Sequence, residues 1–394
     1  MTSPAKVYLR VLFACRSDLD TDGGVARVMR QTADALNGKG IDVEISHDLY
    51  PAAKDFDVVH VFDSSKPRTA LAQLKNLRHS GAPVVWSPFY FDRRELAWAG
   101  TAIDYIFGRD NTPEKKRELL VALSTGSLDV KDFTGLTDDT RPELDQALRE
   151  MLSCVDHVCA SSYHEIQALS RSVELPEIPF TITPHGVDAG WLAGASAGLF
   201  TSKYGLKDFI LSVGPVERRK NQIMLIEALK DTGLQMVLIG PAPEQDYLDL
   251  CLREGGKRVT WTGKLDRDLI VSAYRGAAAH VLPSFSECAA LSNLDAAVSE
   301  CPIVVSNRSS EFEYFGDAPL YCNPAGAESI RNSVMQALDS SWTRRNRWKK
   351  LSREVQERFT WGRTAELAIK AYERVLGAGY SRKKKPAMPA KSDS

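Results

Sequence analysis

At 394 residues the chain exceeds the roughly 250 to 300 at which one hydrophobic core stops growing, so two domains are expected. Its 50 basic and 51 acidic side chains leave a formal charge of -1, which sets aside nucleic acid as the main partner. A hydrophobic fraction of 43% is ordinary for a soluble protein, and no apolar run reaches the roughly 18 residues of a membrane span. The start Met1-Thr2-Ser3-Pro4-Ala5-Lys6 runs into a strand containing Arg10 rather than a secretory pattern, so a cytoplasmic protein is expected.

Short apolar runs alternate with amphipathic ones, the pattern of doubly wound α/β domains. The first series of predicted strands is Val7–Ala14, Asp42–Ser46, Val58–Phe62, Pro83–Ser87, His157–Ser161 and Phe180–Thr183. The second is Phe209–Gly214, Met236–Gly240, Val259–Thr262, His280–Pro283 and Ile303–Ser306. Between them, residues 188–206 have the glycine, alanine and serine content of a linker. The expectation is two Rossmann-like domains, 1–187 and 207–358. Alternation lapses between Asp92 and Arg149, which predicts a helical insertion on the ligand-facing edge of the first domain. Acceptor recognition is one use for it, and a lid or packing elaboration is the other.

Seven scattered cysteines, with no C-x-x-C spacing, read as reduced core residues. Cys154 and Cys159 flank His157, but that stretch reads as strand rather than as a metal site. Asp18-Leu19-Asp20-Thr21-Asp22-Gly23 begins like a calcium loop yet has Met29 where a bidentate glutamate is needed, and its Asp20-Thr21-Asp22 lies too near the N-terminus for a metal-binding D-x-D. No metal is expected. Gly194-Ala195-Ser196-Ala197-Gly198 spells G-x-S-x-G without the preceding strand of a nucleophile elbow.

Three strand-to-helix turns carry the chemistry. After the first strand come Gly23 and Gly24, which let a ligand approach a helix start closely but lack the G-x-G-x-x-G of a dinucleotide site. Gly214-Pro215-Val216-Glu217-Arg218-Arg219-Lys220-Asn221 places Arg219 and Lys220 where they can grip a diphosphate and stabilise it as a leaving group. A solvated basic turn is the plainer reading. In the third turn Glu287 and Asp295 stand eight residues apart around small residues. Carboxylates accept bonds from sugar hydroxyls, while free N–H groups of Ala289, Ala290 and Leu291 can hold a phosphate. A buried corner without a ligand also fits that turn.

These elements, with Pro184-His185-Gly186-Val187-Asp188, Ser306-Asn307-Arg308-Ser309-Ser310, Glu313, Gly316-Asp317 and Phe359-Thr360-Trp361, resemble the retaining nucleotide-sugar glycosyltransferases of GT-B architecture, family four. The resemblance implies two Rossmann-like domains facing across a cleft, with an acceptor side in 1–187 and a nucleotide-sugar side in 207–358. It also implies a last helix, 359–378, that crosses back to the first domain. By resemblance, Glu287 touches the donor sugar, Asp295 the ribose, and Gly24 and Gly214 line the donor, with Arg219, Lys220 and Glu287 as the catalytic set. The donor is a nucleotide-diphosphate sugar, with GDP-mannose a mild preference, and no cofactor is implied. Transfer would retain configuration, without a metal, onto a glycan or lipid-linked hydroxyl in surface polysaccharide assembly.

Departures are visible. Relatives carry a histidine after the fourth strand where this chain has Ser87-Pro88-Phe89-Tyr90, Pro215 stands where some have arginine, and Asp295 replaces a glutamate. A GT-B epimerase and a non-catalytic nucleotide-sugar-binding subunit therefore stay as alternatives. The tail 379–394, with Arg382-Lys383-Lys384-Lys385, is expected to be disordered. It solubilises the chain or, as a weaker reading, draws it to the inner membrane face at about 1 kcal/mol per charge.

Overall fold

Runs rich in valine, isoleucine and leucine with no polar alternation are those of parallel strands buried on both faces, and the chain folds them that way. The computed structural model describes residues 9–17, 23–91, 93–108, 111–128, 141–175, 177–194, 196, 198–288, 291–339 and 342–377. In chain order the strands are β1 Arg10–Ala14, β2 Asp42–Ser46, β3 Val58–Phe62, β4 Val84–Ser87, β5 His157–Ala160 and β6 Phe180–Ile182. They continue as β7 Phe209–Val213, β8 Met236–Ile239, β9 Val259–Trp261, β10 Ala277–Leu282, β11 Ile303–Ser306 and β12 Leu320–Cys322. One sheet has the order β2-β1-β3-β4-β5-β6 and the other β12-β11-β10-β7-β8-β9, with parallel pairing in both. We call the bodies built on them the first and second lobes.

Strand geometry sorts the core. Val11 and Phe13 of β1 enter one cluster with Met29 and Leu36 of the helix Gly24–Gly38. Leu12 and Ala14 enter the opposite cluster with Trp86, Leu74 and Leu152. The helix Trp361–Leu376 completes the first of these clusters through Trp361, Ala365, Ala368 and Tyr372, so the end of the chain packs on the first lobe. It starts with Thr360, whose hydroxyl accepts from the Arg363 N–H.

The structure corrects several expectations. Residues 188–206 are not plain linker: Ala189–Gly194 and Gly198–Tyr204 are helical, and Leu192 and Phe200 sit in the second lobe's core. Strand β10 begins three residues before the expected start, and β12 was missed: Leu320–Cys322 becomes a strand by pairing with β11. The insertion is helical, as expected, but its place differs. Helices Arg93–Phe107 and Pro113–Thr125 bury Ala102, Ile103, Ile106, Leu119 and Leu123 with Ile223, Met224 and Leu248 of the second lobe. The next helix, Arg141–Ser153, returns to the first lobe through Leu148 and Met151.

The seven cysteines are free and buried. His157 pairs with Thr181 Oγ1 at 2.8 Å. Ser196 follows a helix rather than a strand, as the linker composition implied. The Asp18–Asp22 cluster and the tail 379–394 lie outside the described residues.

Candidate active site

In doubly wound sheets ligands collect at the carboxyl ends of strands where the strand order reverses. Here the reversals fall between β1 and β3 in the first lobe and between β7 and β10 in the second. Gly24 follows β1, the Arg219-Lys220 turn follows β7, and Glu287 follows β10, so the three turns read from sequence sit at the reversals.

The turn after β7 is tightly specified. Gly214 has φ +145°, and Gly240 passes so close that an added Cβ would lie 2.2 Å from the Gly214 carbonyl oxygen. Arg218–Lys220 form one 3-10 turn, closed by Asn221 in the left-handed region at φ +61°. The Asn221 amide donates to the carbonyls of Pro283 and Pro324 at 3.0 and 2.8 Å, and Phe285 N–H donates to the Arg219 carbonyl at 3.0 Å. The cationic turn is thereby fastened to the end of β10, where Glu287 begins.

That fastening brings the three predicted catalytic residues together. Lys220 Nζ lies 2.5 Å from Glu287 Oε1, and Arg219 Nη1 lies 3.1 Å from Glu287 Oε2. Lys220 and Glu287 are each 6% exposed. Burial alone would raise the Glu287 carboxyl, but Lys220 and Arg219 overturn that and hold it down at about 2. Arg219 also bonds Glu217 at 2.6 Å and lies over the Phe91 ring, 5.0 Å from its centroid. Arg218 is not part of this cluster: it fans out to Asp104 of the insertion and to Glu244 and Asp246, at 2.5 to 2.8 Å.

Asp295 sits within the helix Leu291–Val298, away from Glu287, and its partner comes from the opposite lobe. Arg27 grips it with both terminal nitrogens, at 2.5 and 2.8 Å. Leu291 faces Gly24, where an added Cβ would lie 3.9 Å from its Cδ1. Ala289 and Ala290 lie outside the described residues. Cys288 touches the first lobe twice, its carbonyl accepting from Ser161 Oγ and its thiol donating to the Tyr90 carbonyl at 3.0 Å.

Sequence reasoning missed Arg27, Phe91 and Glu311. Arg27 had a signal, since it lies three residues after Gly24 and so on the same face of that helix. Glu311 is buried beside Asn293, whose amide donates to it at 3.2 Å. Burial and the neighbouring Glu287 charge push its carboxyl up to about 8. In the stretch Ser87-Pro88-Phe89-Tyr90, Phe89 holds a left-handed backbone at φ +49° and stacks on His185. His60 lies between Tyr372 Oη and Ser87 Oγ, 2.8 Å from each, and burial pushes both imidazoles down to about 3. Both are therefore neutral.

Residues 201–355 match the family described as glycosyl transferases group 1. An O-antigen chain mannosyltransferase B of Escherichia coli is 32% identical over 184 residues, covering 43% of this chain and 48% of that protein. The chain thus aligns with about half the length of this curated relative. Among solved structures, sucrose-phosphate synthase of Thermosynechococcus elongatus superposes with a TM-score of 0.70 at 16% identity, over 93% of this chain and 99% of the other. HepE of Anabaena, solved in complex with UDP-glucose, gives 0.67 at 13% identity, over 92% and 98%. Two parallel six-stranded sheets with these structural likenesses give the chain the GT-B fold, and residues 201–355 of its second half are similar to the glycosyl transferases group 1 family.

Proposed function

We propose that the chain is a retaining, metal-independent glycosyltransferase. It moves a sugar from a nucleotide-diphosphate sugar to a hydroxyl acceptor in glycan or surface polysaccharide assembly. The observation that carries this reading is the buried cluster of Arg219, Lys220 and Glu287 at the strand-order reversal of the second lobe. Two cations held against one carboxylate in a site this dry are a standing offer to a dianionic ligand. A diphosphate arriving there takes over Arg219 and Lys220 and frees Glu287 to accept from donor-sugar hydroxyls.

As the bond to the diphosphate breaks, negative charge grows on the leaving oxygen and Arg219 and Lys220 neutralise it. The acceptor hydroxyl attacks on the face the diphosphate leaves, and its proton passes to the departing phosphate. No side-chain nucleophile is assigned, and the neutral, buried His60 and His185 are not used as bases. The acceptor side is the carboxyl edge of the first sheet, where Arg16 of the β1 end pairs with Asp63 of the β3 end at 2.7 Å. The similarity to a mannosyltransferase of O-antigen assembly favours a mannose donor and a lipid-linked glycan acceptor. A peripheral position at the inner membrane face fits that acceptor.

The test is thermal stabilisation by nucleoside diphosphates and nucleotide sugars in the presence of a chelator, followed by turnover with the sugar that binds. A ligand present at 100 times its Kd stabilises by about 2.7 kcal/mol. We expect one nucleotide sugar to raise the melting temperature, and Lys220→Ala to abolish the shift and lower kcat about 100-fold or more. A product of inverted anomeric configuration would refute retention. Binding without transfer to any acceptor would leave a nucleotide-sugar-binding subunit.

A further inference from the structure

Asp295 is engaged by a residue of the opposite lobe. Both of its oxygens are taken by the terminal nitrogens of Arg27, at 2.5 and 2.8 Å, across 268 residues of sequence and between the two lobes. The side chains are 19% and 7% exposed, so the pair is largely removed from water. Arg27 is held from behind as well: its guanidinium lies 5.9 Å from the Trp191 ring centroid, and Arg267 stacks on the same ring at 4.1 Å. Trp191 belongs to the short helix that joins the lobes. Arg27 therefore meets the first lobe, the second lobe and their junction at one point. Aspartate is a methylene shorter than glutamate, and the guanidinium spans the gap that the shorter side chain leaves.

We propose that Arg27 is a positioning residue of the donor site: it holds Asp295 across the cleft, and the ribose hydroxyls of a bound nucleoside diphosphate take its place. This rests on the proposed function, which puts a nucleotide in the second lobe. A ribose diol offers two O–H donors to the oxygens that Arg27 now occupies, and a carboxylate 5% exposed leaves no room for both. Each nucleotide must then break a charge-assisted, two-bonded pair before making its own bonds. Nucleotide entry and the loss of this one contact between the lobes become one event. Removing Arg27 leaves a buried carboxylate without a partner, a state that a ribose relieves.

The test compares the full-length chain with Arg27→Gln and Arg27→Lys by titration with ADP, GDP and UDP, and with the 2′,3′-dideoxy form of whichever binds best. We expect Arg27→Gln to bind that diphosphate at least about five-fold more tightly than the parent chain. Arg27→Lys, with charge but no fork, should fall between them. The gain should vanish for the dideoxy form, an outcome that loss of a merely structural contact does not produce. Binding in Arg27→Gln that is equal to or weaker than in the parent chain overturns the proposal while leaving the donor site standing. Failure of all three diphosphates on both chains removes the donor site and the proposal with it. Should Arg27→Gln melt below the assay temperature, Arg27→Lys decides by the same comparison.

Discussion

Glu287 and Glu311 are neighbouring buried carboxyls pushed in opposite directions. Glu287 has two cations and is held at about 2, below its usual 4.5; its pairing stabilises the fold above that usual value and is lost as the pH falls toward 2. Glu311 has Asn293 and the Glu287 charge and is raised to about 8, so the fold favours its protonated form. Its contribution is fully present below 4.5 and is lost as the pH rises through 8. Glu311's share of the stability should therefore be lost between pH 5 and pH 9, beside that of Glu165, which burial raises to about 7, and Glu311→Gln should make the loss shallower; an equally steep decline in the variant would refute the assignment. At this scale sequence went part of the way. The spacing of Glu287 and Asp295 and the cations at 219 and 220 were readable because each lies in one short turn. Arg27 against Asp295 was not, since no local rule pairs residues so far apart in the chain.

Elements were legible where they were long and apolar. Strands such as β3 and β8 announce themselves as unbroken hydrophobic runs, whereas β12 is three residues whose strand state comes from pairing with β11. The helices of 188–206 form because Leu192 and Phe200 find a core, overriding a composition that reads as linker. The return of the last helix to the first lobe was expected from the resemblance, but its backbone contacts with 184–187 were not. Val187 N–H donates to the Phe359 carbonyl at 2.9 Å, and Thr364 Oγ1 donates to the Pro184 carbonyl at 2.7 Å. A Cβ on Gly186 would lie 2.3 Å from Trp361 N, backbone that cannot swing aside. Gly186→Ala should cost about 3 kcal/mol by urea titration, the upper range for overpacking, and detach the last helix before the rest unfolds. A cost under about 1 kcal/mol would show that the crossing is looser than described.

Over the whole molecule, the lobes are joined by more than their side chains. Glu313 of the second lobe receives the N–H groups of Tyr163 and His164 at 2.8 and 2.6 Å, at the start of the first-lobe helix Tyr163–Ser172. Tyr314 bridges His185 N–H and the Ser161 carbonyl, each at 3.1 Å. The last helix shares one face of the first core with the helix Gly24–Gly38, so a chain ending at Arg358 should lose cooperative unfolding of that lobe while the second lobe keeps its own transition. Scanning calorimetry reads this directly, and two unchanged transitions would show that the helix is dispensable. Two doubly wound domains followed from alternation alone, but their strand order did not. Which helix covers which sheet did not, because an apolar stripe says that it needs a partner without saying which.

The helices Arg93–Phe107 and Pro113–Thr125 are encoded in the first half of the chain yet roof the second lobe. Sequence order and physical body therefore disagree, and recombination feels the difference. A hybrid chain spliced at residue 187 would graft a foreign second half under a roof shaped for another, leaving Ile103 and Leu123 without Met224 and Leu248 beneath them. The unit to exchange is discontinuous: 93–128 has to travel with the second half.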